Sequence, residues 1–202
     1  MKKSPYIAAA LLVALAAACA ITPRDTGSAF IFALPPAKVK TQTARRDKTL
    51  AVALPQVAAE LDTYRIALKH GDRRWDYYAG ARWSDFLPVV VRDDLTATLA
   101  ASHVFKNVTT GSSGLDADLA LKTNISAFQA EYADGGAPVI QIRMTAALVD
   151  RATGAQIAVF AAGAERKAAA DTLDALQSAF AAAFGGAERR IALKLAALMK
   201  GR

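Results

Sequence analysis

From Leu119 onward the chain changes hydropathy period, and that change leaves few folds open. Leu119, Leu121, Thr123 and Ile125 alternate with their neighbours, as do Ile140, Ile142, Met144, Ala146 and Leu148, and then Ile157, Val159 and Ala161. A period of two collects one set of side chains on one face of a strand. The segments "ADGGAP" and "DRATG" between these runs are long enough only for turns, so the spacing predicts an antiparallel meander of three long strands. The period then lengthens. Leu173, Leu176, Phe180, Phe184, Ala187, Ile191, Leu195 and Leu198 step by 3, 4, 4, 3, 4, 4 and 3. That stripe predicts one long amphipathic helix, or two halves sharing a buried face, because it keeps its phase across Gly185-Gly186.

A second helical stripe precedes the meander. Leu87, Val91, Leu95 and Leu99 recur every four residues, with Phe86 and Val90 widening the face. Ser84 is the expected N-cap, Pro88 falls in the first turn, and the helix is expected to end near Ser102. Shorter strands are expected at Ser28 to Leu34, at Thr49 to Pro55, and at Tyr64 to Leu68 and Trp75 to Tyr78 around a turn at His70-Gly71-Asp72. The stretch "AKVKTQTARRDK" has no periodicity and reads as an exposed linker. Together these elements predict an α+β fold: an antiparallel or mixed β-sheet with two long amphipathic helices packed on one face.

The N-terminus sets the compartment. The apolar run from Tyr6 to Ile21 is 16 residues long and follows Lys2 and Lys3. A spanning helix needs about 20 residues, whereas a signal-peptide core is about this length. Ala16-Ala17-Ala18 lead into Cys19, the only cysteine of the chain, so no intramolecular disulfide can form. Small residues before a lone cysteine resemble a bacterial lipobox, although Ala16 stands where leucine is usual and Leu15 lies one place earlier. The expected organisation is a lipoprotein signal peptide at 1–18, then a lipid anchor at Cys19 with a short strand and linker to residue 48, then a single domain over 49–202. Ordinary cleavage after an Ala-x-Ala site and an uncleaved anchor are the alternatives. Ala20 in the second mature position, rather than aspartate, implies delivery to the outer membrane, facing the periplasm.

Composition excludes more than it assigns. The net charge of +7 falls to +5 without Lys2 and Lys3. No run of five like charges occurs, no aromatic residues interleave with a basic stripe, and a nucleic-acid partner is not expected. Metal-ligand, nucleophile-elbow, phosphate-loop and dinucleotide motifs are missing, so neither a cofactor nor catalysis is expected. Asp93-Asp94 reads as a solvated helix face, and Asp116 with Asp118 as turn chemistry; a hydrolase would need such carboxylates to converge.

The stretch "LDTYRIALKHGDRRWDYYAGARWSDFLPVVVRDDLTATL" is dense in aromatic residues and arginine. With Asp62, Arg65-Ile66, Gly71, Tyr77-Tyr78, Arg82-Trp83, Ser84 and the Leu87 to Leu99 helix, it resembles the signature region of the ABC-type transport auxiliary lipoproteins. That resemblance implies a non-catalytic accessory component of an ABC/MCE-type system moving lipids between inner and outer membranes. The partners it implies are a periplasmic MCE-domain protein and its ABC permease complex, outer-membrane lipid through the acyl anchor, and further copies of the chain in a homo-oligomer. Tyr64, Arg65, Tyr77, Tyr78, Arg82 and Trp83 are the expected partner-binding residues, since aromatic and arginine side chains dominate interface hot spots. The rival reading is an outer-membrane lipoprotein that binds peptidoglycan or envelope-assembly partners.

Overall fold

One strand organises the sheet. The computed structural model describes residues 29–40, 46–71, 74–111, 116–133 and 136–200, so the expected signal peptide, Cys19, Ser28 and most of the "GSSG" loop lie outside the described residues. Strand β7 (Leu119–Tyr132) is the longest at 14 residues and has partners along both edges. On one edge it takes three short parallel strands in succession: β2 (Arg46–Val52), β3 (Gln56–Val57) and β4 (Arg65–His70). Its other edge pairs antiparallel with β8 (Val139–Asp150), which pairs antiparallel with β9 (Gln156–Lys167). The sheet extends from β2 to β6 (Phe105–Thr109), and from β4 through β5 (Arg74–Trp83) to β1 (Phe30–Phe32). Among the described residues the sheet has nine strands and is mixed, antiparallel in the β7–β8–β9 meander and in the β4–β5 hairpin.

Alternation along β7 changes phase once. Leu119, Leu121, Thr123 and Ile125 face the core, but beyond a register irregularity between Ile125 and Ala127 the alternation gives way to four consecutive buried residues, Ala127 to Ala130, with the large Phe128 on the core side. An extra residue in one strand moves the inward set by one position, which is what a bulge does to a period of two.

Helix α1 (Leu87–Ala101) and helix α2 (Leu173–Lys200) pack on the sheet and against each other. Leu87, Val91, Leu95 and Leu99 are buried as expected, but Phe86 lies outside the stripe and is 46% exposed. The cap also differs from expectation. Phe86, not Ser84, is the N-cap residue and offers no side-chain bond; the Leu87 N–H donates instead to the Thr63 carbonyl. Helix α2 runs unbroken through Gly185-Gly186, which pack beside Ala37 and Ala164. The core is aromatic at its centre: Trp83, Phe32, Phe128 and Phe180 meet edge-on or stacked at 5.2 to 6.3 Å between rings.

The expected linker is partly structural. Leu34 and Ala37 are buried, and Arg46, Asp47 and Lys48 already belong to β2. The Ala37 N–H donates to Thr98 Oγ1 at 2.8 Å and to Glu188 Oε2 at 3.1 Å, and Thr98 Oγ1 donates to Glu188 Oε1 at 2.9 Å. The segment after β1 is thus strapped across the two helices. Burial pushes the Glu188 carboxyl up to about 8, against the opposing pull of its hydrogen bonds. Asp94, expected to be solvated, is half-buried with Oδ2 unpartnered; burial first and the charge of Asp93 second raise it to about 6.

Candidate functional site

The aromatic-arginine stretch folds into the β4–β5 hairpin and its flanks, and the hairpin sorts the six expected contact residues between two faces. Cross-strand partners share a face, and residues two apart on one strand do as well. Arg65 pairs with Arg82, Ala67 with Tyr77, and Lys69 with Trp75; a register shift separates the first pair from the others, and Ala67 is buried beneath its neighbours. The inner face carries Ile66 and Leu68, both buried.

On the outer face cations and rings alternate. The Arg65 guanidinium lies over the Tyr77 ring at 4.1 Å, and the Lys69 ammonium is 5.7 Å from the Trp75 ring. The Tyr77 hydroxyl donates to the Glu60 carbonyl at 3.1 Å, which fixes the ring. Strand β1 adds Ile31 beside Arg82, and Ile31 is 50% exposed. Tyr64, immediately before β4, stands edge-on to Phe86 at 5.8 Å, with Tyr64 47% exposed. Among the described residues no carboxylate reaches ion-pair distance of Arg65, Lys69 or Arg82, whereas Lys48, Arg74, Arg92, Lys106 and Arg143 each have one. The interleaving of bases and rings, not visible along the chain, is therefore made by strand pairing.

Two expected contact residues lie elsewhere. Trp83 is fully buried, packed on Phe32, Phe128 and Phe180, and its side chain has no surface to offer. Tyr78 is half-buried; its hydroxyl shares a 2.7 Å hydrogen bond with Tyr132, whose hydroxyl donates to Asp171 at 2.5 Å. Burial raises the Tyr78 phenol above its ordinary range, so it stays protonated. Arg65, Tyr77 and Arg82 lie on the outer side of the hairpin with Ile31 beside Arg82, while Tyr64 packs on Phe86 at the end where β4 begins and β5 ends. Phe86 was hidden by its helical spacing. Its exposure follows from the helix starting at Leu87, two residues later than a Ser84 cap implies.

The acidic candidates do not converge. Asp93 is paired with Arg92 at 2.7 Å, Asp116 is exposed before β7, and Asp118 accepts from Lys48 at 3.0 Å and from the Thr49 N–H at 2.8 Å. Those bonds hold the Asp118 carboxyl below its ordinary value. Among the described residues no three His, Cys, Asp or Glu side chains are grouped to hold a metal, and no helix is long and apolar enough to cross a membrane.

Fold and surface define an α+β domain with a ladder of arginine and aromatic side chains on the outer side of one hairpin. The chain belongs to the family of ABC-type transport auxiliary lipoprotein components, whose model matches residues 32–192. The fold is shared with a solved protein of Xanthomonas campestris assigned to the DUF330 family, at TM-score 0.77 and 20% identity over 86% of this chain and 98% of that one. A hypothetical protein of Chlamydia trachomatis matches at TM-score 0.56 and 10% identity, over 78% of this chain and 100% of that one. An uncharacterised protein matches at TM-score 0.60 and 21% identity, over 79% of this chain and 99% of that one. No curated protein sequence matches the chain.

Proposed function

We propose that this chain is a non-catalytic, periplasm-facing accessory lipoprotein of an ABC/MCE-type system that moves lipids between the inner and outer membranes. Acylation of Cys19 holds it at the outer membrane, and the folded domain docks on the MCE-domain protein that serves the permease. Ile31, Tyr64, Arg65, Tyr77, Arg82 and Phe86 form the docking surface.

The observation that carries the reading is the exposed Tyr64–Phe86 pair at the same end of the hairpin as Arg65 and Arg82, which have no carboxylate at ion-pair distance among the described residues. Large rings on a surface are held there at a cost in hydration, and a partner's apolar surface recovers it. Unpaired guanidinium groups beside them suit carboxylates on the partner, which accept in a planar, two-point geometry. Family membership supplies the transport setting.

The test is co-purification of the acylated chain with its MCE-domain protein from the native membrane, read by mass spectrometry. Wild type is expected to recover that protein, and Tyr64→Ala with Phe86→Ala to lose it while remaining folded. Equal recovery by wild type and by the double variant would remove this surface from the docking role.

A further inference from the structure

The strap after β1 touches helix α2 at more points than Glu188. Gln177 Nε2 donates to the Ala33 carbonyl at 3.2 Å, the Ala37 N–H donates to Glu188, and Arg46 Nη2 donates to the Lys200 carbonyl at 3.2 Å. These bonds come in the same order along both segments, so the strap is laid alongside the helix in the helix's own direction. Lys38 and Lys40, both exposed, fall between the Glu188 and Lys200 contacts in chain order. Arg189 folds back toward them. A Cβ at Gly185 would stand 3.5 Å from Arg189 Nη1 and 3.7 Å from the Ala37 Cβ, so the guanidinium lies over the glycine and beside the strap.

The C-terminal half of α2 continues the same surface. Arg189, Leu193, Ala197 and Lys200 recur every three or four residues and are exposed, which makes them one outward ridge, and Lys194 is exposed beside it. Leu193 is 53% exposed. Arg190 is turned the other way and donates to the Gly163 carbonyl in β9. Neither the helix from Arg189 to Lys200 nor the strap from Ala33 to Lys40 contains an acidic residue. Carboxylates on the neighbouring elements are turned in or paired: Glu188 is buried, Asp94 is half-buried, and Asp93 is held by Arg92. Lys38, Lys40, Arg189, Lys194 and Lys200 have no carboxylate at ion-pair distance among the described residues. Two basic segments far apart in sequence thus share one surface.

We infer that this face, Lys38 and Lys40 on the strap with Arg189, Leu193, Lys194 and Lys200 on α2, docks on the anionic headgroups of a phospholipid membrane. Charge complementarity selects the occupant. Lysine ammoniums are point charges on flexible stems and reach separate phosphates, whereas a protein carboxylate is best met by a fixed guanidinium fork. Cations around one exposed leucine, with no ring among them, have the composition of an interfacial helix face and not of a protein hot spot. The leucine enters below the phosphates while the lysine stems lie along the apolar boundary and hold their charges at it. Each cation brought near such a surface adds to the attraction, and salt screens it. This surface is separate from the Tyr64–Phe86 pair, and its contact with lipid needs no acyl group on Cys19.

The experiment mixes the intact protein, carrying Leu193→Trp and Trp75→Phe, with vesicles whose lipid is partly brominated on its acyl chains, and reads tryptophan quenching. Trp83 is fully buried and supplies a constant background. With phosphatidylglycerol in phosphatidylcholine vesicles, quenching is expected to at least halve the signal from position 193. In phosphatidylcholine alone, and in the Lys38→Glu, Lys194→Glu variant, the quenching is expected to be at least threefold weaker. Tyr64→Ala with Phe86→Ala is expected to leave it unchanged, which keeps a failure here apart from a failure of the docking surface. Equal quenching in the two lipid mixtures, no quenching in protein that floats with the anionic vesicles, or protein that stays off them would each overturn the inference. A co-purifying protein lost from the Lys38→Glu, Lys194→Glu variant, with position 193 unquenched, would give the face to an acidic protein and overturn the lipid assignment.

Discussion

The Ala37 N–H donates to Glu188 Oε2 at 3.1 Å, joining the strap after β1 to helix α2 across 151 positions of sequence. Glu188 is fully buried, and its second oxygen accepts from Thr98 on α1. A carboxyl in such a place keeps its proton far above the ordinary value of 4.5, up to about 8.

Stability is therefore expected to fall as pH rises. The unfolded chain releases the Glu188 proton near 4.5, whereas the folded chain holds it to about 8, so the contribution is fully present below 4.5 and lost through that window. The slope is at most about 1.4 kcal/mol per pH unit for one group. Asp94, raised from 3.8 to about 6, acts with the same sign at the lower end. Urea unfolding at pH 5 and pH 8.5 checks this: wild type is less stable at the higher pH, and Glu188→Gln flattens the difference. Stability rising over that interval would contradict the buried-proton account.

Removing the donor should loosen the strap. Ala37→Pro deletes the N–H that serves both Thr98 and Glu188. Leaving buried acceptors short of a donor costs about 1–3 kcal/mol. The expected result is a lower urea midpoint together with faster exchange of amides in β1, measured by hydrogen–deuterium exchange.

Gly163 in β9 cannot accept a side chain. A Cβ there would stand 2.4 Å from the Ile142 carbonyl oxygen, a backbone atom held by the sheet. Gly163→Ala is expected to destabilise the domain by about 1–3 kcal/mol, the usual cost of overpacking. An unchanged melting temperature would mean that β8 and β9 can separate there without loss.

Trp83 and Tyr64 should separate stability from docking. Trp83→Ala is expected to cost about 3–5 kcal/mol by emptying the centre of the core. Tyr64→Ala, on an exposed ring, is expected to shift stability by no more than about 1 kcal/mol. Thermal unfolding of the two variants checks the contrast.

What could be read along the chain and what could not have physical reasons. The Leu119 to Leu148 strands and the Leu173 to Leu198 helix were legible because each buries one face over many residues; in β9 the expected Ile157, Val159 and Ala161 face is not the buried one, since Val159 is 49% exposed and Ala162 is buried. Strand β5 is longer than expected because Gly80, at positive φ, and the register shift between Arg65 and Ala67 break its alternation. The strap was read as a linker because it docks through a backbone N–H and two buried side chains, which leave no periodic trace. Glu188 sits in a charged run, Glu188-Arg189-Arg190, and nothing in that run marks it as the one turned inward. The proposed docking surface was half legible: Tyr64, Arg65, Tyr77 and Arg82 were named from the sequence, Trp83 belongs to the core, and Phe86 was assigned to a helical face that begins only at Leu87.

The central claim is that the Tyr64–Phe86 end docks on a transport partner, and affinity between the purified domain and its MCE-domain protein tests it most directly. Titration by surface plasmon resonance is expected to give saturable binding, weakened at least tenfold by Tyr64→Ala with Phe86→Ala and unaffected by Lys69→Glu at the far tip. Binding of equal strength in wild type and the Tyr64–Phe86 variant, or no binding of the folded wild type, would contradict it.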